Sequence, residues 1–120
     1  NQPFIMNYLG YAWTEQGINL KKAEQLIRKA VSLRPKDGYI TDSLGWVLYQ
    51  TSRFGEAVPI LERAVRLRPN DATINDHLGD AYWQVQRKLE AIYQWKRAIT
   101  MSPDSELKEK IQQKLSFGLN

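Results

Sequence analysis

Prolines at 35, 69 and 103 each close a near-copy of one phrase: Lys29-Ala-Val-Ser-Leu-Arg-Pro35, Arg63-Ala-Val-Arg-Leu-Arg-Pro69 and Arg97-Ala-Ile-Thr-Met-Ser-Pro103. The step is 34 residues both times. A fixed period of this size marks one supersecondary unit repeated along the chain. A unit in such an array covers its apolar faces only against its neighbours. Function then lies in the surface that the stack builds, not in one cluster of catalytic side chains.

The same step separates Gly45 from Gly79, Leu44 from Leu78, Asp42 from Asp76, Ile40 from Ile74, Ala57 from Ala91 and Ala64 from Ala98. Gly10 lies 35 residues before Gly45, while Ala23, Ala30 and Pro35 keep the step of 34. One extra residue therefore falls in the turn Gln16-Gly17-Ile18-Asn19, where no packed face loses register. Apolar spacings of three and four give two helices per unit. The first carries Ile5, Leu9, Ala12 and Trp13, then Ile40, Leu44, Val47 and Leu48, then Ile74, Leu78, Ala81 and Tyr82. The second carries Ala23, Ile27 and Ala30, then Ala57, Leu61 and Ala64, then Ala91, Trp95 and Ala98.

Glycine inside a helix costs about 1 kcal/mol relative to alanine, so one that recurs at the same place needs a compensating contact. The expected contact is with an alanine of the second helix, which lets two antiparallel backbones approach. The prolines end each second helix, and Asp37 and Asp71 just beyond them are placed to cap the next first helix. Pro59 falls within a second helix and is expected near its first turn, where a proline is tolerated.

These residues resemble the tetratricopeptide repeat, whose signature runs Trp-x2-Leu-Gly-x2-Tyr, then Ala-x3-Phe, then Pro. The third unit matches with Leu78-Gly79, Tyr82, Ala91, Trp95, Ala98 and Pro103. The second matches with Leu44-Gly45, Ala57, Leu61, Ala64 and Pro69, and the first with Leu9-Gly10, Ala23, Ile27, Ala30 and Pro35. Met6, Thr41 and Asn75 stand where the signature has Trp. The resemblance implies an all-α, right-handed α-solenoid of three helix-turn-helix units, about 3–37, 38–71 and 72–104, within a single domain 1–120. More narrowly, Asp42-Ser-Leu-Gly-Trp46 and Asn75-Asp-His-Leu-Gly-Asp-Ala-Tyr-Trp83 are similar to the last repeats of long bacterial proteins of this family, many of them in the cell envelope or periplasm. The tail, about 105–117, is expected to be a capping helix. Ser105 would cap its start, Leu107, Ile111 and Leu115 would form its apolar side, and Lys108, Glu109, Lys110 and Lys114 its wet side. At the other end Ile5, Leu9 and Ala12 would face nothing. The chain is thus expected to be a fragment of a longer array whose open N-terminal end can dimerise.

Beside the apolar stripe, each first helix carries a second one. It holds Phe4, Asn7, Tyr11, Thr14 and Glu15 in unit one; Tyr39, Asp42, Trp46, Tyr49 and Gln50 in unit two; and Thr73, Asp76, Asp80, Trp83 and Gln84 in unit three. The resemblance implies that this face lines a concave groove for partner peptides. Its aromatic and acidic residues suit a protein or peptide segment with basic and apolar anchors. Trp46, Asp42, Asp76 and Asp80 are expected to be exposed there, because unpaired carboxylates are seldom buried. Tyr49 and Trp83 are expected to wedge between neighbouring first helices. The family's clamp for a chaperone tail uses Lys, Asn and Arg at positions held here by Asn7, Tyr11, Ser43, Thr73 and His77, none of them the required residue, so that mode of binding is not expected.

The net charge is +4 and the sequence pI about 9.4. The basic residues recur as Lys29, Arg63 and Arg97, and as Arg34 and Arg68, near the ends of second helices. Cations there complement the helix dipole, and aromatic residues are not interleaved with them, which argues against nucleic acid and leaves an RNA-binding helical repeat as a minor alternative. The chain has no cysteine and no apolar run long enough to span a membrane. His77, the only histidine, has Asp76 and Asp80 nearby but no further metal ligands in sight. No nucleophile, base and orienting group can be assembled, so neither an enzyme nor a cofactor is expected. The leading expectation is a scaffold or adaptor that binds a partner segment in the groove. The alternative is a regulatory docking module of an enzyme complex that uses its convex or end faces.

Overall fold

In the computed structural model, which describes residues 1–119, the chain forms seven helices: α1 (Gln2–Gln16), α2 (Leu20–Leu33), α3 (Gly38–Gln50), α4 (Phe54–Leu67), α5 (Ala72–Gln84), α6 (Lys88–Ile99) and α7 (Ser105–Phe117). The helices α1, α3 and α5 each pack along the even helix that follows and stand side by side, and α7 packs on α6. The result is an all-α helical solenoid with a long axis of 39 Å. Its core runs between units: Ile27, Leu44, Val47, Leu61, Leu78, Ala81, Trp95 and Ile111 belong to one continuous buried cluster.

Helix starts follow the predicted chemistry. Asp37 and Asp71 accept hydrogen bonds from the amides of Ile40 and Ile74, each at 3.0 Å. At α7 the cap is Asp104, whose carboxylate accepts from the Leu107 amide at 2.8 Å; Ser105 is the first residue of the helix proper. A charged acceptor bonded to a backbone amide is stronger than a neutral one, which favours the aspartate. Gly17 closes α1 in the left-handed conformation, and Asn19 is also left-handed, so the extra residue of the first unit is absorbed in this turn.

Two expectations change. The helical glycines do not face an alanine methyl. A Cβ on Gly10 would lie 2.6 Å from Ile27, on Gly45 2.5 Å from Leu61, and on Gly79 2.5 Å from Trp95. The large core residue of the second helix fills the space that the glycine leaves, and at Gly10 and Gly79 the carbonyl of Ala23 or Ala91 lies nearby. Pro59 is the sixth residue of α4, beyond the first turn. It lies on the exposed face, and the carbonyl that it leaves without a helical donor belongs to exposed Gly55, where water can take the bond.

The recurring cation before the proline also acts between units. Arg63 donates to the Pro35 carbonyl at 2.9 Å, and Arg97 to that of Pro69 at 3.4 Å. At the N-terminal edge Ile5 is 66% exposed and Leu9 42%, whereas their counterparts Ile40, Ile74, Leu44 and Leu78 are buried by the preceding unit. Among the described residues no helix is long and apolar enough to cross a membrane.

Candidate functional site

The second stripe of α1, α3 and α5 divides into two parts, an open cavity and a filled one. Burial decides the division. Asn7, Tyr11 and Thr73 are half-buried and Tyr39 is 48% exposed. Together with Tyr8, Asp42, Ser43, Asp71 and Ile74 they line a cavity of about 360 Å³. Each of three successive first helices contributes to it, with Asp71 at the cap of α5.

The exposure expected for Trp46, Asp42, Asp76 and Asp80 is not found. All four are buried, at 9%, 6%, 4% and 5% exposure. The physical reason is pairing. His77 Nδ1 lies 2.9 Å from Asp42 Oδ1. Lys114 Nζ donates to Asp76 at 2.9 Å and to Asp80 at 3.0 Å, and Asp80 also accepts from Trp95 Nε1 at 3.1 Å. Trp46 stacks on the His77 ring at 3.7 Å and on Tyr49 at 4.8 Å, and its Nε1 donates to Glu15 at 2.9 Å. Tyr49 and Trp83 are partly buried against the core, and Trp83 Nε1 donates to the Leu119 carbonyl. Lys114, expected on the wet side of α7, points into this cluster with 17% of its side chain exposed. The C-terminal part of the face is thus occupied by the chain's own α7 and by stacked rings.

Electrostatics separate the two parts. Burial alone would lower the His77 pKa, but the Asp42 carboxylate outweighs it and the net shift is upward from 6.5. Burial raises Asp80, Asp76 beside it raises it further, and Lys114 with His77 only partly offsets this, leaving it at about 6. At the cavity, burial and then the carboxylates of Glu15, Asp42 and Asp71 push the Tyr11 phenol upward. Among the described residues no group of three or more His, Cys, Asp or Glu side chains is placed to hold a metal ion.

The His77 pair has a pH signature. A native pKa above the unfolded value means that its contribution is fully present below about pH 6.5 and is lost as pH rises through the raised native value. The destabilisation caused by His77→Gln is therefore expected to be larger at pH 6 than at pH 9, read as the difference in Tm between variant and wild type at each pH. An equal penalty at both would show that His77 acts through packing alone.

Sequence reasoning missed Tyr8, Asp71 and Ile74 as cavity residues and Lys114 as a groove residue, and it named Ser43 only as a position of the chaperone-tail clamp. Asp71 was legible as a cap, and its second use depends on where α5 begins relative to α1. Lys114 lies 34 and 38 residues from its partners, and the 34-residue step that leads from Trp46 to Asp80 leads on to it, a signal that reading the tail as a cap with Lys114 on its wet side passes over.

A sequence profile of the tetratricopeptide repeat matches residues 43–106, and the chain belongs to that family. The family consists of protein-interaction modules. A TPR repeat-containing protein of Pseudomonas aeruginosa is 36% identical over 52 residues; the match spans 43% of this chain and 9% of that protein's length. Among solved structures, MamA (41-end) from Desulfovibrio magneticus RS-1 superposes with a TM-score of 0.81 at 27% identity, covering 97% of this chain and 63% of that one. The first TPR of Spaghetti (RPAP3), bound to the HSP90 peptide SRMEEVD, superposes with a TM-score of 0.79 at 19% identity, covering 96% and 94%.

Proposed function

We propose that this chain is a scaffold that holds an extended or helical segment of a partner protein along its concave face, seated in the cavity between α1, α3 and α5. The observation that carries this reading is the cavity itself. Phenol rings and carboxylates from three successive first helices meet there around about 360 Å³ of space, within the size range of binding pockets. Tyrosine offers a large contact area at low entropic cost and is enriched in binding hot spots. A neighbour of the same fold is bound to a peptide, which agrees with this use of the architecture.

Peptides selected from a random display library against the wild-type chain test the reading. Tyr11→Ala is expected to weaken them by about 2 kcal/mol, roughly 30-fold in Kd, as for a central aromatic anchor. Unchanged affinity across the selected set would move the site elsewhere. Docking through the end face is the second reading, supported by exposed Ile5, Tyr8 and Leu9 on α1. Binding there would survive Tyr11→Ala.

A further inference from the structure

We infer that the cavity is a guanidinium pocket, which takes one arginine side chain of the bound segment and so rests on the groove reading above. Its volume of about 360 Å³ is at the low end of the roughly 300–1,000 Å³ of ligand sites. That is room for one long side chain and its adjoining backbone, not for a folded element.

The lining selects by charge. No lysine or arginine lines the cavity, and Asp42 and Asp71 both do. Asp42 is matched by His77 behind it. Among the described residues neither Asp71 nor Glu15, which lies within electrostatic reach of the Tyr11 phenol, forms an ion pair. An anionic side chain would be repelled by these carboxylates, with the Arg68 guanidinium, held over the Tyr39 ring, offsetting them only in part. An apolar one would cover the Asp71 carboxylate, which lines the cavity without an ion-pair partner, and leave its charge unmatched. A cation with several donors satisfies both conditions.

Geometry favours guanidinium over ammonium. Guanidinium is planar, weakly hydrated and carries five donors, so it can lie on a phenol face while bonding to carboxylate and amide oxygens at its edge. The cavity wall already displays this contact, since the Arg68 guanidinium lies 4.0 Å over the Tyr39 ring. The buried cluster of Asp76, Asp80 and Lys114 has no comparable capacity, because Lys114 already bonds to both carboxylates.

The test titrates the whole chain with N-acetyl-arginine amide and follows backbone amide shifts by NMR. N-acetyl-citrulline amide, which has the same shape without the charge, and N-acetyl-lysine amide serve as comparisons. The arginine probe is expected to give saturable shifts at Asn7, Tyr11, Tyr39, Ser43 and Thr73. Citrulline should bind roughly 10- to 100-fold more weakly, the range for hydrogen bonds to a charged group, and lysine should fall between. Asp71→Asn keeps a capping side chain at the start of α5 and removes the charge. It should weaken the arginine probe about tenfold, with only a small loss in Tm from the weaker neutral cap. Equal binding of citrulline or lysine, equal binding to the Asp71→Asn variant, or shifts scattered over the surface would overturn the inference. If peptides that depend on Tyr11 persist in that event, the groove reading stands and only the arginine assignment falls; if none depends on Tyr11, both fall.

Discussion

Lys114→Met is expected to destabilise the protein by about 3–5 kcal/mol near pH 7.5, the range for removing one partner of a buried ion pair. The ammonium lies 2.9–3.1 Å from all four carboxylate oxygens of Asp76 and Asp80 and shares its three N–H donors among them. Without it, two buried carboxylates face each other across a site that methionine dries further. Asp80 already sits at about 6, raised by burial and by Asp76. A carboxylate with a raised native pKa contributes stability that is present at acid pH and lost as pH climbs through that value. The variant's only relief is to protonate Asp80, so its penalty should be smaller at pH 5 than at pH 7.5. Urea denaturation of wild type and variant at both pH values measures this. Adding Asp76→Asn and Asp80→Asn to Lys114→Met should restore a large part of the loss, since it removes the uncompensated charge. A penalty below about 1 kcal/mol at pH 7.5, the value typical of an exposed pair, would mean that Lys114 is not held in the groove. The same measurement asks whether α7 seals the C-terminal part of the concave face, because Lys114 is the polar link between that helix and α5.

Trp95→Ala is expected to cost about 3–5 kcal/mol, as for a large aromatic removed from a packed core. Trp95 is fully buried, fills the space opposite Gly79, packs tilted against Trp83 with ring centroids 5.5 Å apart, and donates to Asp80. Truncation opens a cavity between α5 and α6 and also withdraws a donor from Asp80. Domains of this size have about 5–15 kcal/mol in total, so the loss is a large share of the stability and should appear as a pronounced drop in Tm, which circular dichroism would detect. Leu61→Ala, at the same place in the second unit, removes a smaller side chain and no donor and should lose less. Equal losses at the two positions would mean that the bond to Asp80 contributes nothing.

How far the chain could be read in advance differed from residue to residue. The helices were legible because packing repeats the same demand every 34 residues, so Leu44 and Leu78, or Ala57 and Ala91, report the same local environment. The caps at Asp37 and Asp71 were legible for the same reason. The cap of α7 was misplaced by one residue, since Asp104 and Ser105 are both good capping types and only the backbone decides between them. The candidate groove was half legible. Asn7, Tyr11, Tyr39, Asp42 and Thr73 do meet around one cavity. Trp46, Asp76 and Asp80 lie on the same stripe but are buried, because residues from other helices reach them: Glu15 and His77 in the first case, Lys114 in the other two.

A repeat pattern determines what each residue does within its own unit and at the junction with a neighbour of the same kind. The 34-residue period, the Leu-Gly pairs and the prolines therefore set the family, the helix pairs and the core of this protein without reference to any coordinates. Charge pairing across the concave face is a different kind of fact. His77 finds Asp42, and Lys114 finds Asp76 and Asp80, across 34–38 residues of sequence. Those meetings depend on how each helix pair stacks on the next and where α7 lands. Stacking geometry decided which carboxylates are neutralised inside the fold, as at Asp42, Asp76 and Asp80, and which, as at Asp71, are left without an ion pair among the described residues.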